Sequence, residues 1–380
     1  MSDGDMVGGV NSAGARRDGV RRAATIRGIA VLTLVIAVSA CGSRSGMNAR
    51  DVAEDPARVA SIDRMFSAFT NDGAPGASVA IARNGRLVFA RGYGMADLEA
   101  HVPAGTLTNY RLASVTKAFT AMAILTLVRD GTLSLDDEVR SVLPEMPAYT
   151  AGVRVRHLLT HSSGMPTYED LMLDGETEQV HDRDMFRLLA RTDSMYFKPD
   201  TQYRYSNTGY SLLALIVERK SGMTFADFLA QRIFKPLDMS GTVAHTDGVS
   251  TVERRAYGYS ERGGVWRRTD QSTTSAVLGD GGVYSSVTDL LKWDLALRTP
   301  AYARPDSPAF PDSAGHNYAF GWFHDRFNGH RREWHQGETR GFNNIFHRYP
   351  DDGLTIIILT NRNDSEPWKI ADRIATLYLK

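Results

Sequence analysis

One cysteine, Cys41, stands among 380 residues, so no disulfide can form within the chain. Charge of one sign is not in excess either, since 44 Lys and Arg face 44 Asp and Glu. A basic stripe of the kind that holds nucleic acid would unbalance that count, and no nucleic-acid partner is expected. The sequence shows no internal repeat, no low-complexity segment and no G-x-S-x-G, which argues against an α/β-hydrolase nucleophile turn. What is present is ordinary globular material: 42% hydrophobic and 23% charged residues, enough for one large core or two intergrown lobes.

The first 40 residues read differently from the rest. Arg16, Arg17, Arg21, Arg22 and Arg27 precede an apolar run over 29–38 that is too short to span a bilayer but suits the core of a signal peptide. Without these 40 residues, which hold five arginines and three aspartates, 39 basic and 41 acidic side chains remain. The run ends in Val38-Ser39-Ala40-Cys41, which resembles the bacterial lipoprotein box, and that resemblance implies lipidation of Cys41. A buried core cysteine after an uncleaved anchor is the competing reading. The expected organisation is a signal peptide over 1–40, a tether over 41–51 and one domain over 52–380. An exported, membrane-anchored protein of the cell envelope is expected.

Along that domain, Asp55-Pro56 reads as a helix N-cap with proline at the first turn, followed by Val59, Ile62, Phe66 and Phe69 at helical spacing. Alternating residues on both sides of Asn84-Gly85 predict a hairpin. The text from about 106 to 300 turns mostly helical, and Ser286-Val287-Thr288-Asp289 opens a further helix as a capping box. Strand patterns return at 318–323, 332–336, 342–349 and 354–361, and a last helix follows Pro367. The fold class is therefore α+β: an antiparallel sheet built from both chain ends, covered by the first and last helices, with a helical lobe inserted between.

In YRLASVTKAFTAMAILTLVRDG, residues 110–131, an apolar helix begins with Ser114 and Lys117 three positions apart. They share one face if the helix starts near Ala113, where free backbone N–H groups and the positive dipole end converge. A nucleophile and its base need that geometry, and so does a plain N-cap with a solvated lysine. Tyr205-Ser206-Asn207 and His335-Gln336-Gly337 follow. In this order and at these separations the three motifs resemble the serine β-lactamase and penicillin-binding protein family, in its class C-like branch. Tyr110-Arg111-Leu112-Ala113, the stretch from His157 through His161 to Gly164, and Gly281-Gly282-Val283-Tyr284-Ser285-Ser286 extend the likeness over about 52–380.

The resemblance implies a serine hydrolase working through an acyl-enzyme on Ser114, with Lys117 and Tyr205 as base and acid, Asn207 as an orienting amide, and His335 binding or polarising substrate. It places the oxyanion between the amides of Ser114 and Glu338, with Gly337 leaving room for substrate along the strand edge. No metal or organic cofactor is implied. The third motif differs from the K-T-G of the superfamily. Histidine there is charged only part of the time near neutrality, which turns the expectation from efficient β-lactamase toward peptidase or esterase activity on D-amino-acid peptides, small acyl esters or β-lactams. The alternative is a noncatalytic module of the same fold that binds penicillin or peptidoglycan peptides.

Two further groups of histidines, one with carboxylates, lie along the chain. His324, Asp325, His330, Glu333 and His335 crowd one hairpin and are read as solvated charges rather than metal ligands, for want of ordered ligand spacing. His157 and His161 are read as turn and capping residues.

Overall fold

The computed structural model describes residues 55–70, 73–302 and 317–379. The expected leader, Cys41 and the tether lie outside the described residues. Strands β1 (Ala77–Arg83) and β2 (Arg86–Tyr93) form the hairpin expected around Asn84-Gly85, both with positive φ. Next come β3 (Met95–Asp97), β4 (Val102–Pro103), β5 (Tyr110–Arg111), β6 (Val243–Ala244), β7 (Tyr259–Arg262), β8 (Val265–Arg268) and β9 (Val283–Ser285). The last strands are β10 (Tyr318–Ala319), β11 (Trp322–Phe327), β12 (His330–Thr339), β13 (Phe342–Tyr349) and β14 (Leu354–Thr360).

The helices are α1 (Pro56–Met65), α2 (Lys117–Arg129), α3 (Val139–Val142), α4 (Val155–Leu159), α5 (Met185–Leu189), α6 (Asn207–Ser221), α7 (Phe225–Leu229), α8 (Val287–Ala296) and α9 (Pro367–Tyr378). Asp55 caps α1 through the Ala57 amide, and Ser286 caps α8 through the Asp289 amide. The first helix is shorter than its apolar spacing suggests. It stops at Met65, and Ser67–Phe69 forms a separate 3₁₀ turn.

One seven-stranded antiparallel sheet runs β10-β11-β12-β13-β14-β1-β2, so both chain ends build it, as expected. Its two faces are both covered, which is why β14 is apolar without interruption. Ile356 and Ile358 face a cluster with Ile62, Phe66 and Ile374, while Ile357 and Leu359 face a second cluster with Phe119, Leu212 and Trp322. Full burial of each such side chain contributes roughly 1.5–3 kcal/mol. A small sheet, β5-β9-β6, lies within the mostly helical stretch and anchors the segment before Ser114.

Two expectations change here. The pattern over 318–323 is not one strand, because Phe320 and Gly321 turn with φ of 54° and 83°. That turn lies on the start of α2, where a Cβ at Gly321 would sit 2.5 Å from the Ala118 backbone. The charged hairpin is also not simply solvated. Asp325 pairs with Arg332 and His330 with Asp352, whereas Glu333 is buried against Arg348 at 2.5 Å, and Arg348 reaches Asp294 at 2.7 Å.

Candidate active site

The chain reaches Ser114 through a fixed approach. β5 pairs with β9, and the Leu112 amide continues the contact to the Val283 carbonyl. Ala113 then takes φ of 49°, a left-handed conformation that costs a non-glycine residue of order 1 kcal/mol, before a 3₁₀ turn over Ala113–Thr116 leads into α2. This strained step turns the Ser114 side chain outward, partly exposed, while both neighbours stay buried. The Gly281–Ser286 motif thus has a physical role: its strand aligns the approach, and the Val283 amide bonds Thr116 Oγ1.

Lys117, with no exposed surface, donates from Nζ to Ser114 Oγ at 3.0 Å, Asn207 Oδ1 at 2.8 Å and the Asp280 carbonyl at 2.9 Å. All three ammonium protons are matched. Burial lowers its pKa to about 8, against the opposing pull of the Asp280 and Glu169 carboxylates. The Asp280 carboxyl is itself pushed up by burial, to about 6, and accepts from the Tyr168 hydroxyl.

Tyr205 reaches the site from the segment before α6, and its hydroxyl hydrogen-bonds Ser114. Burial raises the pKa of this phenol well above the ordinary value and keeps the proton on. Asn207, the first residue of α6, spans two groups: Oδ1 accepts from Lys117 and Nδ2 donates to Glu169 Oε1 at 2.5 Å. His161 lies under this motif. Its Nδ1 accepts from the Ser206 amide at 3.2 Å, and its ring packs at a tilt with centroids 4.2 Å from Tyr205 and 4.4 Å from Tyr318. His157 caps α4 through the Arg154 amide, as expected.

The third motif requires a correction. His335 is 2% exposed and both ring nitrogens are in use: Nδ1 donates to the Gln336 carbonyl at 2.6 Å, which leaves Nε2 to accept from the Tyr318 hydroxyl at 3.1 Å. Burial and the nearby Lys117 lower its pKa to about 3, so this imidazole is neutral and offers no part-time cation. Gly337 is needed for packing rather than for substrate clearance, since a Cβ there would lie 2.0 Å from the Leu112 carbonyl oxygen. Glu338 follows on the same strand. Thr339 and Phe342 close a two-residue hairpin loop as a hydrogen-bonded pair, so the alternate residue Glu338 turns its N–H away from β13. The register with β11 ends at Trp334, so among the described residues no strand pairs with β12 on that side beyond it.

Sequence reasoning missed Glu169, Asp280, Tyr168 and Tyr318. Glu169 follows the histidine motif closely and Asp280 precedes the double glycine, but nothing local marks either as a neighbour of Lys117.

The sequence model of the family described as Beta-lactamase matches residues 62–380. Penicillin-binding protein 4* of Bacillus subtilis (strain 168) is 31% identical over 316 residues, which cover 77% of this chain and 70% of that protein. Among solved structures, the octameric penicillin-binding protein homologue from Pyrococcus abyssi superposes with a TM-score of 0.72 at 28% identity, covering 84% of this chain and 77% of that one. The D-amino acid amidase from Ochrobactrum anthropi SV3, complexed with L-phenylalanine amide, gives a TM-score of 0.69 at 27% identity, covering 83% and 98%. With its sheet, its helical region, Ser114 in the turn before α2 and Lys117 at the start of α2 all in place, this chain belongs to the Beta-lactamase family of the serine β-lactamase and transpeptidase superfamily.

Proposed function

We propose that the protein is a serine hydrolase that cleaves ester or amide bonds through an acyl-enzyme on Ser114. The observation that carries this reading is the 3.0 Å contact of a fully buried lysine amine with the serine hydroxyl. When neutral, Lys117 keeps two N–H donors for Asn207 and Asp280 and turns its lone pair to the Ser114 proton. Ser114 Oγ attacks the carbonyl carbon, and the charge that develops on oxygen is met by the Ser114 and Glu338 amides. Tyr205, kept protonated by burial, hands its proton to the leaving group and is restored from the Lys117 ammonium. Water then reverses these transfers and frees the acid.

Two features favour peptidase or esterase activity over efficient β-lactam hydrolysis: the third motif supplies no cation for a carboxylate, and one relative of solved structure is a D-amino acid amidase. Exposure to a fluorophosphonate followed by mass spectrometry tests the nucleophile, and turnover of p-nitrophenyl esters, D-amino-acid amides and nitrocefin ranks the substrates. A noncatalytic binding module would take a label on Ser114 slowly or not at all and turn over none of the panel.

We also propose that the protein acts at the envelope, held by lipid on Cys41. Among the described residues no helix is long and apolar enough to cross a membrane. Membrane fractionation tests this, with Cys41→Ser expected to release the protein or block its processing.

A further inference from the structure

Helix α4 closes with the hydrogen bonds of a chain that turns left-handed just past its end. The Ser162 amide reaches the His157 carbonyl at 2.9 Å, and the His161 amide reaches the Leu158 carbonyl at 3.4 Å. The residue in the left-handed position is His161, with φ of 57°. Glycine, or failing that asparagine, is the usual occupant, because a Cβ is strained there. The chain places a large ring where its backbone favours no side chain.

That ring is buried and has one polar partner. Nδ1 accepts from the Ser206 amide, so the imidazole is neutral and its hydrogen sits on Nε2, which meets no acceptor among the described residues. Burial and the nearby Lys117 charge favour the same neutral form. A strained backbone and an unpaired buried donor are both unfavourable, and together they mark a residue kept for something other than stability.

What His161 holds is the chain on either side of Tyr205. Its carbonyl accepts from the Arg204 amide at 3.0 Å, and its Nδ1 takes the Ser206 amide. Between these two bonds its ring supports that of Tyr205. Ser206 is extended, with φ of −143°, and its buried hydroxyl finds no partner among the described residues, so its side chain adds no tie. Above the phenol ring lies Lys117 Nζ, 5.0 Å from the centroid.

Resting on the hydrolase reading above, we propose that His161 is a positioning residue, which brackets Tyr205 and keeps its hydroxyl aimed for proton delivery to the leaving group. His161 itself exchanges no proton. The bond from the carbonyl carbon to the leaving atom breaks, Ser114 Oγ holds the acyl group, and the leaving atom takes the Tyr205 proton, as already described.

The test is a leaving-group series on one acyl group, chosen as the one whose p-nitrophenyl ester is turned over best. Its p-nitrophenyl, phenyl and benzyl esters have successively more basic leaving oxygens, which depend increasingly on a proton. The readout is the ratio of kcat/KM for the benzyl ester to that for the p-nitrophenyl ester within one preparation, so a smaller folded fraction cancels. His161→Leu keeps bulk but has no acceptor. It should lower that ratio by about tenfold or more, toward the value for Tyr205→Phe, since a general acid is worth about 10²- to 10⁴-fold and the basic leaving group needs it most. The double variant should have the ratio of Tyr205→Phe alone. His161→Asn suits a left-handed backbone and sets an amide oxygen near the place of Nδ1, so it should recover most of the loss. If His161→Leu yields no folded protein, His161→Gln replaces it, its amide lying one bond further out. An unchanged ratio, equal slowing of all three esters, no recovery in His161→Asn, or a double variant well below Tyr205→Phe overturns the proposal. A wild-type ratio as low as that of Tyr205→Phe does so too. Fluorophosphonate labelling keeps the two readings apart. If the wild type labels on Ser114 and cleaves the p-nitrophenyl ester while the ratio ignores His161, only the positioning role fails, whereas a wild type that does neither loses the hydrolase as well.

Discussion

Lys117 Nζ lies 3.0 Å from Ser114 Oγ at a position with no exposed surface, and the two residues are one turn apart on the same helix start. Replacing Ser114 by alanine removes one partly exposed hydroxyl, worth about 1 kcal/mol of stability at most. Ser114→Ala should therefore lose turnover and labelling while its melting temperature stays within a few degrees. Hydrolysis by purified Ser114→Ala would falsify the assignment of the nucleophile.

In the proposed mechanism Lys117 works as the neutral amine, and burial has brought its pKa to about 8. Activity should rise as pH climbs through that value, because deprotonation makes the base. The groups around it are Ser114, Asn207, Tyr205, Tyr210, Asp280, Glu169, His161 and His335. Of these, Asp280 and Glu169 raise its pKa. Asp280→Asn should accordingly move the acid limb of the kcat profile to lower pH. A limb that moves upward, or stays still, would show that the profile reports another group.

His335 is neutral throughout the working range, so KM for carboxylate-bearing substrates should be flat between about pH 5.5 and pH 8, the window in which an ordinary histidine titrates. Parallel measurements on neutral esters provide the control. His335→Lys should not restore β-lactam turnover, because it would bury a second ammonium near Lys117; loss of soluble protein is the expected result. The same burial bears on acid stability. With a folded pKa of about 3 and an unfolded one near 6.5, the unfolded chain binds the extra proton, so this contribution is intact above about pH 6.5 and lost as pH falls toward 3. His335→Gln should flatten the fall in urea stability across that window.

Arg348 binds Glu333 and Asp294 at once, with its own side chain 5% exposed and theirs at 8% and 1%. Removing the cation leaves two buried carboxylates short of it, although Arg298 still holds Asp294. Arg348→Ala should cost about 3–5 kcal/mol, read as a lower urea midpoint. A change under about 1 kcal/mol would mean that water or Arg298 compensates fully.

Gly337→Ala should damage stability and labelling together. The added Cβ would press on the Leu112 carbonyl, and that backbone cannot give way without moving Ser114. Normal labelling with a normal melting temperature would show that β12 can shift freely against the nucleophile turn.

Local chemistry in the sequence decided much of this protein. Asp55-Pro56, Asn84-Gly85 and Ser286 act within a few residues of themselves, so their cap and turn signals can be read directly. The alternation in the last strands and the Ser114-x-x-Lys117 spacing are equally local, which is why the sheet and the contact of that serine with its lysine were legible. Tertiary structure alone decided how the residues of those motifs are charged and what they touch. The three boxes are distant in sequence, and the pKa of Lys117, the locked neutral His335 and the protonated Tyr205 all follow from burial by segments that no local pattern links. Glu169 on Asn207 and Gly337 under Leu112 are further cases, since a side chain's desolvation and its long-range partners exist only once the whole chain has packed.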